Sequence, residues 1–83
     1  MGTIANARKR ISKHTVCEYK LIFSDSEYSI ECTERDNFGR VTDYSLVKSI
    51  TSLEEIAREM FQSIVKYGTC ACTLYDIITD LIC

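Results

Sequence analysis

The stretch Val16-Cys17-Glu18-Tyr19-Lys20-Leu21-Ile22-Phe23 decides the fold. In an extended chain Cys17, Tyr19, Leu21 and Phe23 fall on one side, which is wholly apolar or aromatic. Val16 and Ile22 share the other side with Glu18 and Lys20. A period of two with one apolar side predicts a strand buried on one face. Downstream, Ser24-Asp25-Ser26-Glu27 has the side chains that satisfy the backbone of a turn. Tyr28 to Glu34 repeats the alternation, with Tyr28, Ile30 and Cys32 inward and Ser29, Glu31 and Thr33 outward. Asp36-Asn37-Phe38-Gly39 is the next turn, with Asn37 and Gly39 suited to positive φ. Arg40 to Val47 is a third, less regular strand, in which a bulge near Asp43 would bury both Val41 and Tyr44. Three strands with short connections predict an antiparallel meander.

The period then changes. Ser52-Leu53-Glu54-Glu55 matches a capping box, Ser52 bonding a backbone N–H and Glu55 reaching back. Leu53, Ile56, Ala57, Met60, Phe61, Ile64 and Val65 form one apolar stripe of a helix running to about Tyr67, and Gly68 ends it. After a loop at Thr69–Cys72, Thr73 is the expected cap of a short helix buried through Leu74, Ile77, Ile78 and Leu81. The expected fold is α+β: a three-stranded antiparallel sheet packed on one long and one short C-terminal helix, in the order β-β-β-α-α. The sheet would leave two edges unguarded by proline, which makes a homodimer through a sheet edge possible.

Glu18-Tyr19-Lys20-Leu21 in the first strand, the helix ITSLEEIAREMFQSIV, and the ending Leu74-Tyr75-Asp76-Ile77-Ile78-Thr79-Asp80-Leu81 resemble an uncharacterised family of small bacterial proteins. The resemblance covers roughly residues 16–82. Thr79 stands where an acid is expected, and Thr69-Cys70-Ala71-Cys72 departs from the family's polar loop. The resemblance implies the same fold and carries no activity.

A chain of 83 residues, 46% hydrophobic and 27% charged, has the composition and size of one folded domain. Residues 1–15 lack a clean period and read as a basic, mobile tail, leaving 16–83 as the single domain. The net charge of −2 conceals a split. Residues 1–20 hold five basic side chains against one acid, and the remainder holds five against eleven. The start has no apolar run resembling an export signal, and no segment approaches the ~20 apolar residues of a membrane span. A cytoplasmic, membrane-independent protein is expected. Its five cysteines, odd in number, are then reduced thiols. Cys17 and Cys32 pack as small hydrophobes, and Cys83 is able to cross-link chains in vitro.

Catalytic groups are few. Cys70-x-Cys72 lacks a second pair to complete a tetrahedral zinc site, His14 and Cys83 lying at opposite ends of the chain. His14 beside a mobile tail is a poor base for a cysteine nucleophile. Asp76 and Asp80 share a helix face that reads as solvated, and no glycine-rich loop follows a strand to cradle phosphate. No enzyme activity, cofactor or metal is expected.

Binding remains. The acidic body suits a larger, basic intracellular protein or nucleoprotein complex, as small phage-borne inhibitors of nucleases, anti-CRISPR proteins among them, suit theirs. On that reading Glu31, Glu34, Asp36 and Asp43, with Glu54, Glu55 and Glu59, supply charge, and Phe38, Tyr67 and Tyr75 supply exposed anchors. An acidic body repels phosphate backbones, so direct nucleic-acid binding is disfavoured overall. The alternative is a nucleic-acid-associated regulator using Arg8, Lys9, Arg10 and Lys13. A thiol or zinc sensor is a third possibility.

Overall fold

The computed structural model describes residues 2–82. The expected roles of Cys83 lie outside the described residues. The sheet has four strands: β1 (Gly2–Ser12), β2 (Thr15–Ser24), β3 (Glu27–Arg35) and β4 (Val41–Thr51). They follow one another in space as in sequence, each antiparallel to its neighbour. Helix α1 (Glu54–Tyr67), a 3-10 turn (Ala71–Thr73) and α2 (Leu74–Ile82) complete the fold.

The expectation of three strands is therefore corrected. Residues taken for a mobile tail form β1, paired with β2 along its length. Ala5, Ala7, Lys9 and Ile11 face the helices, opposite Leu21, Tyr19, Cys17 and the end of β2. Asn6, Arg8 and Arg10 point the other way. The period of two was present, but alanine buries too little surface to make it conspicuous, and Lys9 interrupts it. Lys9 still belongs inside: its Nζ donates to the Lys66 carbonyl at 2.6 Å, at the end of α1. A cation there answers the unpaired carbonyls and the negative end of the helix dipole.

One face of the sheet is covered and one is not. Cys17, Tyr19 and Leu21 of β2 and Tyr28, Ile30 and Cys32 of β3 are buried against Ala57, Met60, Phe61 and Ile64 of α1 and Leu74 and Ile78 of α2. Phe23 lies at the end of this row, partly exposed, with its ring centroid 4.8 Å from that of Tyr28. Leu53, Ile56, Ile77 and Leu81, expected inside, remain substantially exposed, because a four-stranded sheet is filled by the two narrower stripes. The bulge in β4 does exist, with Thr42 as the extra residue between the Glu34–Asp43 and Arg35–Val41 pairs. It does not bury Val41 and Tyr44, which are 53% and 52% exposed on or beside the open face.

The helix ends are only partly as expected. The residue preceding α1 is Leu53, with no side-chain cap; Ser52 does not form the box, and Thr51 Oγ1 accepts from the Leu53 N–H instead. Gly68 takes the left-handed conformation (φ 64°) and closes the helix through its N–H to Val65. Thr73 is not a cap but the last residue of the 3-10 turn, bonded to the Cys70 carbonyl.

The connection between α1 and α2 is anchored from the sheet. Tyr19, fully buried, donates its hydroxyl to the Thr69 carbonyl at 2.7 Å. Glu34 accepts from the Ala71 N–H at 3.4 Å. An unmade partner for a buried carbonyl costs the desolvation of that group. Tyr19→Phe should therefore lower stability by about 1–3 kcal/mol, read as a reduced urea midpoint with an unchanged m-value. An unchanged midpoint would show that the hydroxyl does not hold the loop.

Candidate functional site

The uncovered face of the sheet is built by the residues that the alternation turns away from the helices. Opposed pairs place Arg8, Glu18, Thr33 and Tyr44 in one row across the four strands. Asn6, Lys20, Glu31 and Leu46 form the next row, and Arg10, Val16, Arg35 and Val41 the row on the other side. Lys48 follows Leu46 beside Ile22 and Ser29. Five cations thus share this face with three carboxylates, Glu18, Glu27 and Glu31, and Asp25 adjoins it beside Lys48.

Glu18 and Glu31 are already engaged. Glu18 accepts from Arg35 Nε at 2.5 Å and lies 3.7 Å from Arg8 Nη2. The Arg35 hydrogen bond holds its carboxyl below the usual range. Glu31 accepts the Tyr44 hydroxyl at 2.7 Å, which raises the Tyr44 phenol.

Cations concentrate toward one end. The β1–β2 and β3–β4 turns lie at the same end of the strands, bringing Lys13, His14 and the segment 36–40 beside Arg8, Arg10 and Arg35. A depression of about 380 Å³ opens there, lined by Arg8, Arg10, Val16, Arg35, Asp36, Asn37 and Gly39. Arg35 and Arg10 are held by acceptors of the neighbouring turns and strands, while Arg8 lies 3.7 Å from Glu18. Arg35 Nη1 donates to the Gly39 carbonyl at 2.9 Å. Arg10 Nη1 donates to the Lys13 carbonyl at 3.2 Å and to Asn37 Oδ1 at 3.4 Å. Asn37 Nδ2 meets His14 Nδ1 at 3.0 Å.

The 36–40 turn is folded around Asp36. Its Oδ1 accepts from the Phe38 and Arg40 N–H groups, and its Oδ2 from Arg40 Nε, each at 2.9 Å. These donors hold the Asp36 carboxyl below its ordinary value, the Arg40 N–H contributing most. Gly39 turns the chain at φ 80°. Phe38 is left at the tip, 82% exposed, with the Arg40 guanidinium 5.4 Å from its ring centre.

The acidic residues selected from the sequence do not form one surface. Glu31 lies on the open face; Glu34 points to the helix side, against Ala71 and the Cys17 thiol. Asp36 is enclosed by its own turn, and Asp43 accepts the Tyr44 N–H at 2.8 Å. Glu54 pairs with Arg58, while Glu55 and Glu59 are exposed on α1. Tyr67 and Tyr75 are exposed, 77% and 65%, near the connection between the helices. Of the four basic residues at the N-terminus, Arg8, Arg10 and Lys13 stay accessible and Lys9 is spent on α1. Arg35, Arg40, Lys20 and Lys48 were not selected. Once β1 is placed, the register alone brings Arg35 and Lys20 beside Arg8 and Arg10.

The thiols are poorly placed for chemistry. Burial pushes Cys17, Cys32 and Cys70 above the ordinary thiol value, opposite to the shift a nucleophile requires. Among the described residues no group of three or more His, Cys, Asp or Glu side chains is arranged to hold a metal ion. No described helix is long and apolar enough to cross a membrane. Comparison with protein-family models, with curated proteins and with solved structures gave no match.

The carboxyls of Glu18 and Asp36 are both held below their unfolded values, so each stabilises the fold above its ordinary carboxyl range and loses that contribution as pH falls through the lower folded value. Stability to urea should be level above about pH 5 and fall below about pH 4. In Glu18→Gln the acid decline should be shallower. An identical decline in the variant would mean that the Glu18–Arg35 contact contributes nothing.

Proposed function

We propose that the protein is a non-catalytic binding module for single-stranded nucleic acid, with the open sheet face and its arginine-rich end as the binding surface. One observation carries this reading. Arg8, Arg10 and Arg35 gather at one end of the sheet beside the turn that carries the most exposed large aromatic side chain, Phe38. Arginines bind phosphate oxygens through paired donors, and an exposed ring stacks on a base without reading its identity. A duplex keeps its bases stacked on one another, so Phe38 favours a single strand. Beyond the depression, Tyr44, Lys20 and Lys48 lie on the same face, interleaved with Glu27 and Glu31. The basic N-terminal residues act here as strand β1, as part of a shaped surface rather than as a free tail.

A fluorescent 12-nucleotide single strand should bind with a Kd of about 1–100 µM at physiological salt, measured by anisotropy. With about three phosphates neutralised, log K should fall against log salt with a slope of about −2. The combined change Arg8→Gln, Arg10→Gln, Arg35→Gln should remove binding, and Phe38→Ala should weaken it by about 1–3 kcal/mol. Absence of binding at low salt, or equal binding by the triple variant, would refute the proposal.

A second reading, inhibition of a basic partner protein such as a nuclease, is favoured by the helical side. Glu55, Glu59, Asp76 and Asp80 are exposed there, and none forms an ion pair among the described residues. Tyr75 lies on the same layer. On this reading Glu55→Lys with Glu59→Lys and Asp76→Lys abolishes capture of a basic protein from host lysate, and the arginine variant does not. The reverse pattern would eliminate it.

A further inference from the structure

The proposal here rests on the nucleic-acid reading and concerns what occupies the depression. Three guanidinium groups, those of Arg8, Arg10 and Arg35, line a single hollow of about 380 Å³. An internal phosphodiester offers one negative charge, which three arginines exceed. A terminal phosphomonoester offers about −1.5 to −2 and three acceptor oxygens. The charge of the hollow matches the second. Arg8, Arg10 and Arg35 bring three positive charges, and Glu18, shared between Arg8 and Arg35, removes one. Asp36 also lines the hollow, but its carboxylate is neutralised by Arg40 and by two backbone N–H groups.

Geometry agrees with charge. The contacts to Glu18, Gly39, Lys13 and Asn37 each hold one part of a guanidinium and leave donors free on the arginine. Arg35, held by Glu18 and Gly39, and Arg10, held by Lys13 and Asn37, lose less side-chain freedom on binding an anion than unrestrained arginines would. A Cβ built on Gly39 meets nothing within 4 Å, so the rim of the hollow at the turn is open. Phe38 stands on that turn, where the base adjoining a seated phosphate could stack.

We infer that the Arg8–Arg10–Arg35 depression binds the phosphomonoester at the end of a nucleic-acid strand, so that the protein distinguishes phosphate-ended from hydroxyl-ended strands.

The test uses the full chain and one 12-nucleotide sequence with a 5′-phosphate, a 3′-phosphate or hydroxyls at both ends, the label placed internally. At least one phosphate-ended strand should bind about tenfold more tightly than the hydroxyl-ended strand, the scale of one added charge-assisted contact. Inorganic phosphate should compete, but only at concentrations far above the oligonucleotide. Arg10→Gln with Asn37→Ala should bring the ratio of phosphate-ended to hydroxyl-ended affinity to about one, however far it lowers affinity for all strands, and a circular-dichroism melt confirms that this variant is folded. If it is not, Arg35→Lys, which keeps the charge but loses the paired donors, serves in its place. Equal affinity for all three strands would overturn this inference and leave the sheet face as a general single-strand surface. Binding of none would overturn both. Inorganic phosphate as effective as the phosphorylated strand would show a small-anion site without strand recognition, and would also overturn it.

Discussion

The pairing of β1 with β2 is the constraint on which the rest depends. Strand pairing admits no intermediate register, because a slip of one residue sends every side chain to the opposite face. Seating Ala5 and Ala7 opposite Leu21 and Tyr19 therefore fixes Arg8 and Arg10 on the face without helices. It also carries Lys9 to the end of α1 and Ile11 toward Gly68, whose Cβ position would stand 2.9 Å from Ile11 Cδ1. Gly68 is required by its left-handed backbone, while a Cβ there would only push the end of the Ile11 side chain aside. Core cover, the end of the long helix and the basic surface all follow from one strand finding its register.

The core was legible where side chains are large. Cys17, Tyr19, Leu21, Ile30 and Cys32 announce buried strand faces because their transfer from water is strongly favourable, and all are fully buried. Ala57, Met60, Phe61 and Ile64 do the same at helical spacing. β1 was not legible because its inner face is Ala, Ala, Lys and Ile, with two small residues and one charge in four. A strand whose burial is worth little by itself is held by its backbone ladder and by its neighbours, and neither is written in its own residues. The failed capping box is similar. The sequence motif was complete, but β4 extends to Thr51 and leaves Leu53 at the helix entry, where local capping yields to the path of the sheet.

The candidate site was legible in parts that sequence order kept separate. Arg8, Arg10 and Lys13 were recognised as cations, and Phe38 as an exposed aromatic, but they belonged to rival readings of tail and body. Only the meander brings the first turn and the third turn to the same end of the sheet. Arg35 and Gly39 gave no signal of their own beyond a turn residue and a charge at a strand end. The acidic residues show the converse. Glu34, Asp36 and Asp43 read as surface charge, yet each spends its oxygen on a backbone N–H nearby: Ala71, Phe38 with Arg40, and Tyr44. A carboxylate that completes a turn or anchors a loop contributes to the fold first and to the external field only in what remains.

On the nucleic-acid reading, this redistribution is what would let a chain of net charge −2 receive an anionic ligand. Charge acts through distance. In physiological salt the field of an exposed group fades over about 8 Å. Two packed layers are themselves about 10 Å apart, centre to centre, before outward side chains are added. An anion approaching Arg8, Arg10 and Arg35 is therefore beyond the effective reach of Glu55, Glu59, Asp76 and Asp80 on the helical layer. What it meets is the local balance, in which Glu18 and Asp36 are each already matched by an arginine. The charges separated along the sequence are mixed on the open face, and the basic excess is confined to its end at Arg8, Arg10 and Arg35. It is the face, and not the chain, whose charge a partner reads.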